Sequence, residues 1–280
     1  MIIRIPRVPP AKKQKISHPS PKLKMDIGVT YLPKPDRKKP RGEDCYFMLS
    51  DRNTVGVADG VGGWSSKGID AGQYALELMQ HAMLATLRQP KGSVNPRTVL
   101  NKAFQRTKSE GSSTACIATL KQNFGENSNQ EYYSLHAVNV GDSGFMLFRN
   151  LKLVYRSPTQ QHRFNTPYQL GNSEKSDTPE KAEEFTVEVA AGDIVVFGTD
   201  GVFDNLFPEE IQRFIELNCG GDDKVTAERL SRLIAKDAAR KAYDKYSKTP
   251  FEEASHKAGK KFKGGKKDDI TVVVAYIVSC

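Results

Sequence analysis

Acidic residues recur in this chain where apolar runs begin or end. TVGVADG carries Asp59, AVNVGDSG carries Asp142, IVVFGTDG carries Asp200, and KKDDITVVV opens with Asp268 and Asp269; Glu43 and Asp44 stand just before CYFML. Asp-Gly is a common turn dipeptide, so any one of these is readily read as a turn residue. Turn chemistry does not account for the set. If such strands are neighbours in stacked sheets, their ends converge and several carboxylates face one pocket. Two unit charges about 4 Å apart repel by roughly 4 kcal/mol at an effective dielectric near 20, so convergence needs a positive partner. Divalent cations supply one. The candidate donors are all oxygens, with no clustered His or Cys set among them, which suits the hard ions Mg2+ or Mn2+ far better than Zn2+. Glycines after Asp59 and Asp200 would let the backbone turn and a carbonyl or water approach the metal.

The elements that must position these carboxylates are mostly strands. β-rich runs occur at 27–32, 45–49, 54–58, 114–120, 132–140, 145–148, 151–155, 185–189, 193–198 and 270–278. Asp70 can cap a helix through about Arg88, with Tyr74, Leu78, Ala82 and Ala85 on one face. A shorter helix follows around Arg97 to Lys108, and Leu230, Leu233, Ile234 and Ala238 mark another. Helices in blocks between runs of strands favour an α+β fold with stacked antiparallel sheets over an alternating βαβ fold. The polar stretches 123–130 and 171–184 read as surface loops, and 248–267 as a long excursion.

The formal charge of +9 is unevenly spread. Residues 1–41 hold twelve basic and two acidic residues, whereas 42–280 hold thirty and thirty-one. The basicity therefore belongs to a leader or tail, and the body lacks the distributed positive face of a dedicated nucleic-acid binder. The first 25 residues have no acidic residue, a bias shared with organelle-import leaders, but their prolines oppose an amphipathic helix. A mitochondrial leader and a plain disordered tail both remain open, with cytoplasm or nucleus as the alternative location. No apolar run approaches the roughly 18 residues of a spanning helix. The four cysteines are scattered, which indicates neither a zinc knuckle nor a disulfide framework.

The motifs GED (42–44), GVADGVGGW (56–64), GSSTA (111–115), VNVGDSG (138–144), VVFGTDGVFDN (195–205) and DDITVVV (268–274) occur in the order found in the metal-dependent protein phosphatases of type 2C, the PPM family. The resemblance covers about Ile27 to Ser279. DGVGGW, FNTPYQL (164–170) and GGKKDDITVVV look most similar to the mitochondrial subgroup of fungi and animals. It implies a tail over 1–26, then a single domain over 27–280, a central β-sandwich of two stacked, mainly antiparallel sheets with helices on both outer faces. Two Mg2+ or Mn2+ ions per subunit are implied at one end, with a weaker third. By position Asp59 bridges both metals and Gly60 lends its carbonyl. Asp200 and Asp268 complete one metal, Glu43 and Asp44 hold its neighbour, and Asp142 with Asp200 holds the third. Asp59, Asp200 and Asp268 are thus the implied catalytic set, and Asp269 stands behind the ligands.

Such a site implies hydrolysis of phosphoserine and phosphothreonine monoesters in phosphoprotein partners by direct attack of a metal-bridging water. The resemblance carries a basic residue a few positions before the acidic pair; Arg37, Lys39 and Arg41 all qualify, Lys39 by spacing and Arg41 by its bidentate fork. Many relatives have His after the bridging Asp-Gly, whereas this chain has Val61. That departure motivates an alternative, a catalytically impaired phosphoprotein-binding module on the same fold. His162 lies in a polar loop, where a lone histidine is commonly just solvated. Trp64, Phe203 and Phe207 are expected to fill core rather than stack on substrate. The expected oligomeric state is a monomer.

Overall fold

The computed structural model describes residues 22–37, 39–124, 131–221 and 224–280. The segment 1–21, which carries most of the expected leader, and residues 125–130 of an expected loop lie outside the described residues.

Ten strands form the body: β1 (Leu23–Leu32), β2 (Asp44–Leu49), β3 (Thr54–Asp59), β4 (Ala115–Phe124), β5 (Glu131–Val140), β6 (Gly144–Arg149), β7 (Lys152–Arg156), β8 (Glu183–Val189), β9 (Ile194–Gly198) and β10 (Ile270–Ser279). They build two five-stranded sheets, ordered β1-β10-β9-β6-β7 and β8-β5-β4-β3-β2, with every neighbouring pair antiparallel. The β10 run is mostly apolar because it is covered on both sides. Val273, Ala275 and Ile277 face the opposing sheet, where they share one core with its Val57 and Leu135 and with Phe145 and Phe197 of their own sheet. Val272, Val274 and Tyr276 point outward, onto helices.

The outer layers follow from the same alternation. Helices α1 (Ala71–Leu87) and α2 (Pro96–Arg106) cover the second sheet, with Tyr74, Leu78 and Ala82 against Ala58, Ile117 and Val138. Asp70 caps α1 by accepting from Gly72 N at 3.0 Å. The short α3 (Asp200–Phe203), α4 (Pro208–Cys219) and α5 (Ala227–Ala242) cover the first sheet through Ile211, Ile215, Leu230 and Ile234. A further helix, α6 (Pro250–Lys257), lies inside the stretch expected as an excursion. The result is the α+β sandwich expected from the pattern, with helices on both outer faces. Phe203 joins the outer core, whereas Trp64 and Phe207 are only half-buried. No helix among the described residues is long and apolar enough to cross a membrane.

Candidate metal centre

Strand ends from both sheets deliver the carboxylates to one edge of the sandwich. Asp44 opens β2 directly opposite Asp59, which closes β3. Asp142 sits in the turn between β5 and β6, Asp200 begins α3 just after β9, and Asp268 and Asp269 precede β10. Asp59, half-buried, and Asp142 and Asp200, both buried, offer carboxylate oxygens within 4.8 Å of one another. The other expected ligands lie beside this trio, each engaged by a side chain. Asp44 Oδ2 accepts from Thr199 Oγ1 at 2.8 Å and Thr271 Oγ1 at 2.7 Å. Glu43 Oε1 accepts from Lys39 Nζ at 2.6 Å, and Lys34 Nζ lies 3.0 Å from Asp268 and 3.5 Å from Glu43.

The motifs around the carboxylates hold them in place. Thr114 Oγ1 accepts from Asp59 N at 3.1 Å and lies 2.7 Å from Ser143 Oγ, so GSSTA ties β3 to the Asp142 turn. Asn205 Nδ2 donates to the carbonyls of Gly201 and Lys266, both at 2.9 Å, which fastens α3 to the segment before β10. Asp269 is buried and accepts from the backbone N–H groups of Lys34 and Glu43, both at 2.8 Å. The glycines after Asp59 and Asp200 are needed for packing between backbones: a Cβ on Gly60 would meet Ala71 O at 2.6 Å, and one on Gly201 would meet Asp269 O at 1.9 Å.

Electrostatics mark the same place. Burial, then Asp200, Asp44, Asp268 and Asp142, push Asp59 well above the ordinary carboxylate range. Burial and the neighbouring Asp200 and Asp204 raise Asp142 to about 8. Burial, with Asp269 next, raises Asp44 against the pull of its two threonine hydroxyls. Asp268 goes the other way: burial opposes its ionisation, but Lys266 and Lys34 hold it below the ordinary value. Asp44 Oδ1, Asp142 Oδ1 and Asp200 Oδ1 are buried oxygens with no hydrogen-bond partner. Unpartnered acceptors of this kind are costly, and cations bound at the cluster would offset that cost. The residues therefore fit a hard divalent metal.

Several contributors were not singled out by sequence reasoning. Lys266 Nζ contacts Asp200, lies 2.7 Å from Asp204 and 3.4 Å from Asp268, and is surrounded by charge that raises its pKa despite burial. Asp204, one helical turn after Asp200, is raised to about 6, chiefly by burial; its spacing from Asp200 was the available signal. Gln161 Nε2 donates to Asp142 Oδ2 at 3.0 Å. The next residue, His162, points elsewhere: its Nε2 lies 2.9 Å from Asp177 Oδ2 and its ring packs on Tyr168 at 4.3 Å. Of the candidate phosphate-holding residues, Lys39 reaches Glu43 and Ser65, both at 2.6 Å, whereas Arg37 and Arg41 are exposed.

Comparison with known proteins decides the family. The chain is 34% identical over 271 residues to "Probable protein phosphatase 2C 26" of Arabidopsis thaliana, covering 92% of this chain and 86% of that one. The chain belongs to the protein phosphatase 2C family. It is 47% identical over 259 residues to "Probable protein phosphatase 2C 55" of Arabidopsis thaliana, covering 92% of this chain and 52% of that protein. The chain thus spans about half the length of that relative. Among solved structures, "X-ray structure of the photosystem II phosphatase PBCP" superposes with a TM-score of 0.78 at 30% identity, covering 90% of this chain and 98% of the other. No protein-family model matches the chain.

These findings correct the expected subgroup. Relatives matched over nine-tenths of the chain come from Arabidopsis thaliana and Oryza sativa, so the resemblance is to plant-type members of the protein phosphatase 2C family rather than to a mitochondrial subgroup of fungi and animals. The physical reason lies in what the misleading motifs do. The glycine of Asp59-Gly60 is required by backbone packing against Ala71, and a Cβ on Gly265 would meet Lys241 O at 1.8 Å. Residues fixed by the demands of the shared fold carry no information about lineage or compartment.

Proposed function

We propose that this chain is a Mg2+- or Mn2+-dependent phosphoprotein phosphatase that hydrolyses phosphoserine and phosphothreonine monoesters. The observation that carries the reading is the trio Asp59, Asp142 and Asp200 at the convergence of both sheets, with buried, unpartnered carboxylate oxygens on Asp142, Asp200 and the neighbouring Asp44. Asp59, Asp200 and Asp268, with Glu43, Asp44, Asp142 and the Gly60 carbonyl, are the residues assigned to hold two ions, and Asp142 with Asp200 a weaker third. When bound, such ions supply Lewis acidity to the phosphoryl oxygens and acidify a water for attack.

The chain's own residues do the rest. Thr199 and Thr271 fix one oxygen of Asp44, which leaves the other free to face a cation. Lys39, held on the Glu43 side by Ser65, presents an ammonium at the edge of the cluster and is assigned to the substrate phosphate. Arg41 is less well placed, since only its backbone carbonyl is engaged, by Tyr31 OH. Gln161 orients Asp142 through its hydrogen bond to Oδ2. The complete set of carboxylates supports catalysis over a module that merely binds phosphoproteins.

The test is phosphate release from a phosphoserine peptide with and without metal. Turnover should require Mn2+ or Mg2+ and be lost in Asp59→Asn and in Asp200→Asn. Turnover that persists in both variants and in EDTA would overturn the reading.

A further inference from the structure

Residues 243–267 hold eight lysines and three acidic residues, while the remainder of 42–280 holds twenty-two basic and twenty-eight acidic residues. The positive charge of the body is therefore gathered in one segment, which runs from the end of α5 through α6 to the metal centre. Lys266 alone among the eight has carboxylate partners; the other seven are exposed and form no ion pair among the described residues. Aromatic side chains are interleaved with them. Tyr246 is 85% exposed, more than any other large apolar side chain described, and Tyr243 and Phe262 are also exposed. Lys263 Nζ stands 5.7 Å from the Tyr246 ring and Lys267 Nζ 4.9 Å from the Tyr243 ring.

These side chains enclose a groove of about 640 Å3, lined by Lys245, Tyr246, Phe262, Lys263, Lys266 and Lys267 together with Gly265. Its inner end is Lys266, whose ammonium lies among Asp200, Asp204 and Asp268. Lys266 is thus shared between the groove and the metal centre. Its floor is rigid: Gly264 N is held by Glu252 at 3.2 Å, Thr249 Oγ1 donates to Gly264 O at 2.8 Å, and Phe251 stacks edge-on against Phe262 at 4.8 Å. Solvated lysines and an exposed tyrosine on a fixed floor make a surface that stays open to solvent among the described residues.

We propose that this groove binds the acidic flank of a phosphoprotein substrate, selecting phosphorylated residues that have Glu, Asp or a second phosphate nearby. The proposal rests on the phosphatase reading above and adds the substrate class. A peptide whose phosphate lies at the metal centre carries its neighbours about 3.3 Å further out per extended residue, along the groove that Lys266 shares with Lys245 and Lys263. Tyr246 offers a flat face to the peptide backbone. A nucleic acid fits less well, because a continuous polyanion leaving the groove would run onto the carboxylates of Asp200, Asp204 and Asp268. A membrane surface fits less well, because Tyr246 and Phe262 line a groove among lysines rather than form a continuous apolar face.

The experiment compares three substrates: a phosphoserine peptide flanked by glutamates, the same peptide flanked by glutamines, and p-nitrophenyl phosphate, which is too small to fill the groove. The Mn2+-loaded protein should prefer the acidic peptide by about tenfold in kcat/KM, mainly through KM, and the preference should shrink at high salt. Lys245→Glu with Lys263→Glu should abolish the preference and leave p-nitrophenyl phosphate turnover unchanged; Lys245→Gln with Lys263→Gln, a gentler pair, should abolish about half. Equal kcat/KM on both peptides overturns the proposal, as does an equal loss on all three substrates. Should the protein hydrolyse nothing, the phosphatase reading fails and the groove is still judged by fluorescence anisotropy of a labelled glutamate-rich peptide, whose affinity must fall in the double variant. Capture by phosphatidylserine vesicles or by a single-stranded RNA that falls in the double variant, with no preference between peptides, assigns the surface to another polyanion and overturns the proposal.

Discussion

Replacing Lys266 with Gln removes the ammonium that sits among Asp200, Asp204 and Asp268. Lys266 Nζ is 3.4 Å from Asp268, a separation at which opposite unit charges attract by roughly 5 kcal/mol at an effective dielectric of 20, and Asp204 is closer, at 2.7 Å. Much of that attraction offsets desolvation, but deleting one partner leaves the other charges buried, at a cost of about 3–5 kcal/mol. For a chain of this size each kcal/mol moves the melting temperature by about 2–4 °C, so the metal-free variant should melt on the order of 10 °C lower. Divalent ions neutralise the same carboxylates. Saturating Mn2+ should therefore restore most of the difference, and the variant should gain more from metal than the wild type does. The assay is thermal unfolding in EDTA and across a Mn2+ titration. A deficit of equal size with and without Mn2+ would refute the reasoning, because Lys266 would then be supporting the fold independently of the site.

The metal-free protein should lose stability as pH rises. Asp142, raised to about 8, binds a proton in the folded state that the unfolded chain releases near pH 4, so its contribution is fully present below about 4 and gone above about 8. Urea midpoints in EDTA between pH 5 and 9 should fall through that window, and Asp142→Asn should flatten the slope; an unchanged slope counts against the buried, mutually repelling carboxylates. Gly201→Ala places a Cβ on the Asp269 carbonyl and should cost about 2–4 kcal/mol while raising the Mn2+ concentration needed for stabilisation, as read by the same melting titration. His136 is held neutral by burial and by Lys121, so acid should destabilise the fold below about pH 6.5. His136→Gln should reduce the drop in urea midpoint between pH 7 and pH 5.5.

The central strands were legible because their apolar runs are set by burial on both faces, as β10 illustrates, whereas β7 and β8 show the alternation of strands with one exposed face. The α1 helix was legible from its Asp70 cap and one apolar face. Helix α6 was not, since only Phe251 and Ser255 are buried in its eight residues and lysines and glycines surround it. Helix α4 was missed for a similar reason, with only Ile211 and Ile215 fully buried. At the site, the carboxylates announced themselves by recurring at strand ends. Lys34 and Lys266 gave no local signal, because what distinguishes them from other lysines is contact with Asp268 from 234 residues away in one case and with Asp200 and Asp204 from over 60 in the other. Gly264-Gly265 reads as a simple turn, yet Gly265 is pressed on the Lys241 carbonyl, a close approach that only the packed α5 creates.

The account depends on cations being held by carboxylates contributed from both sheets, and diffraction from manganese-soaked crystals at the Mn absorption edge addresses it most directly. The anomalous difference map should show two strong peaks within bonding distance of Asp59, one of them also against Asp200. An empty map among Asp59, Asp142 and Asp200 at saturating Mn2+ would contradict the account.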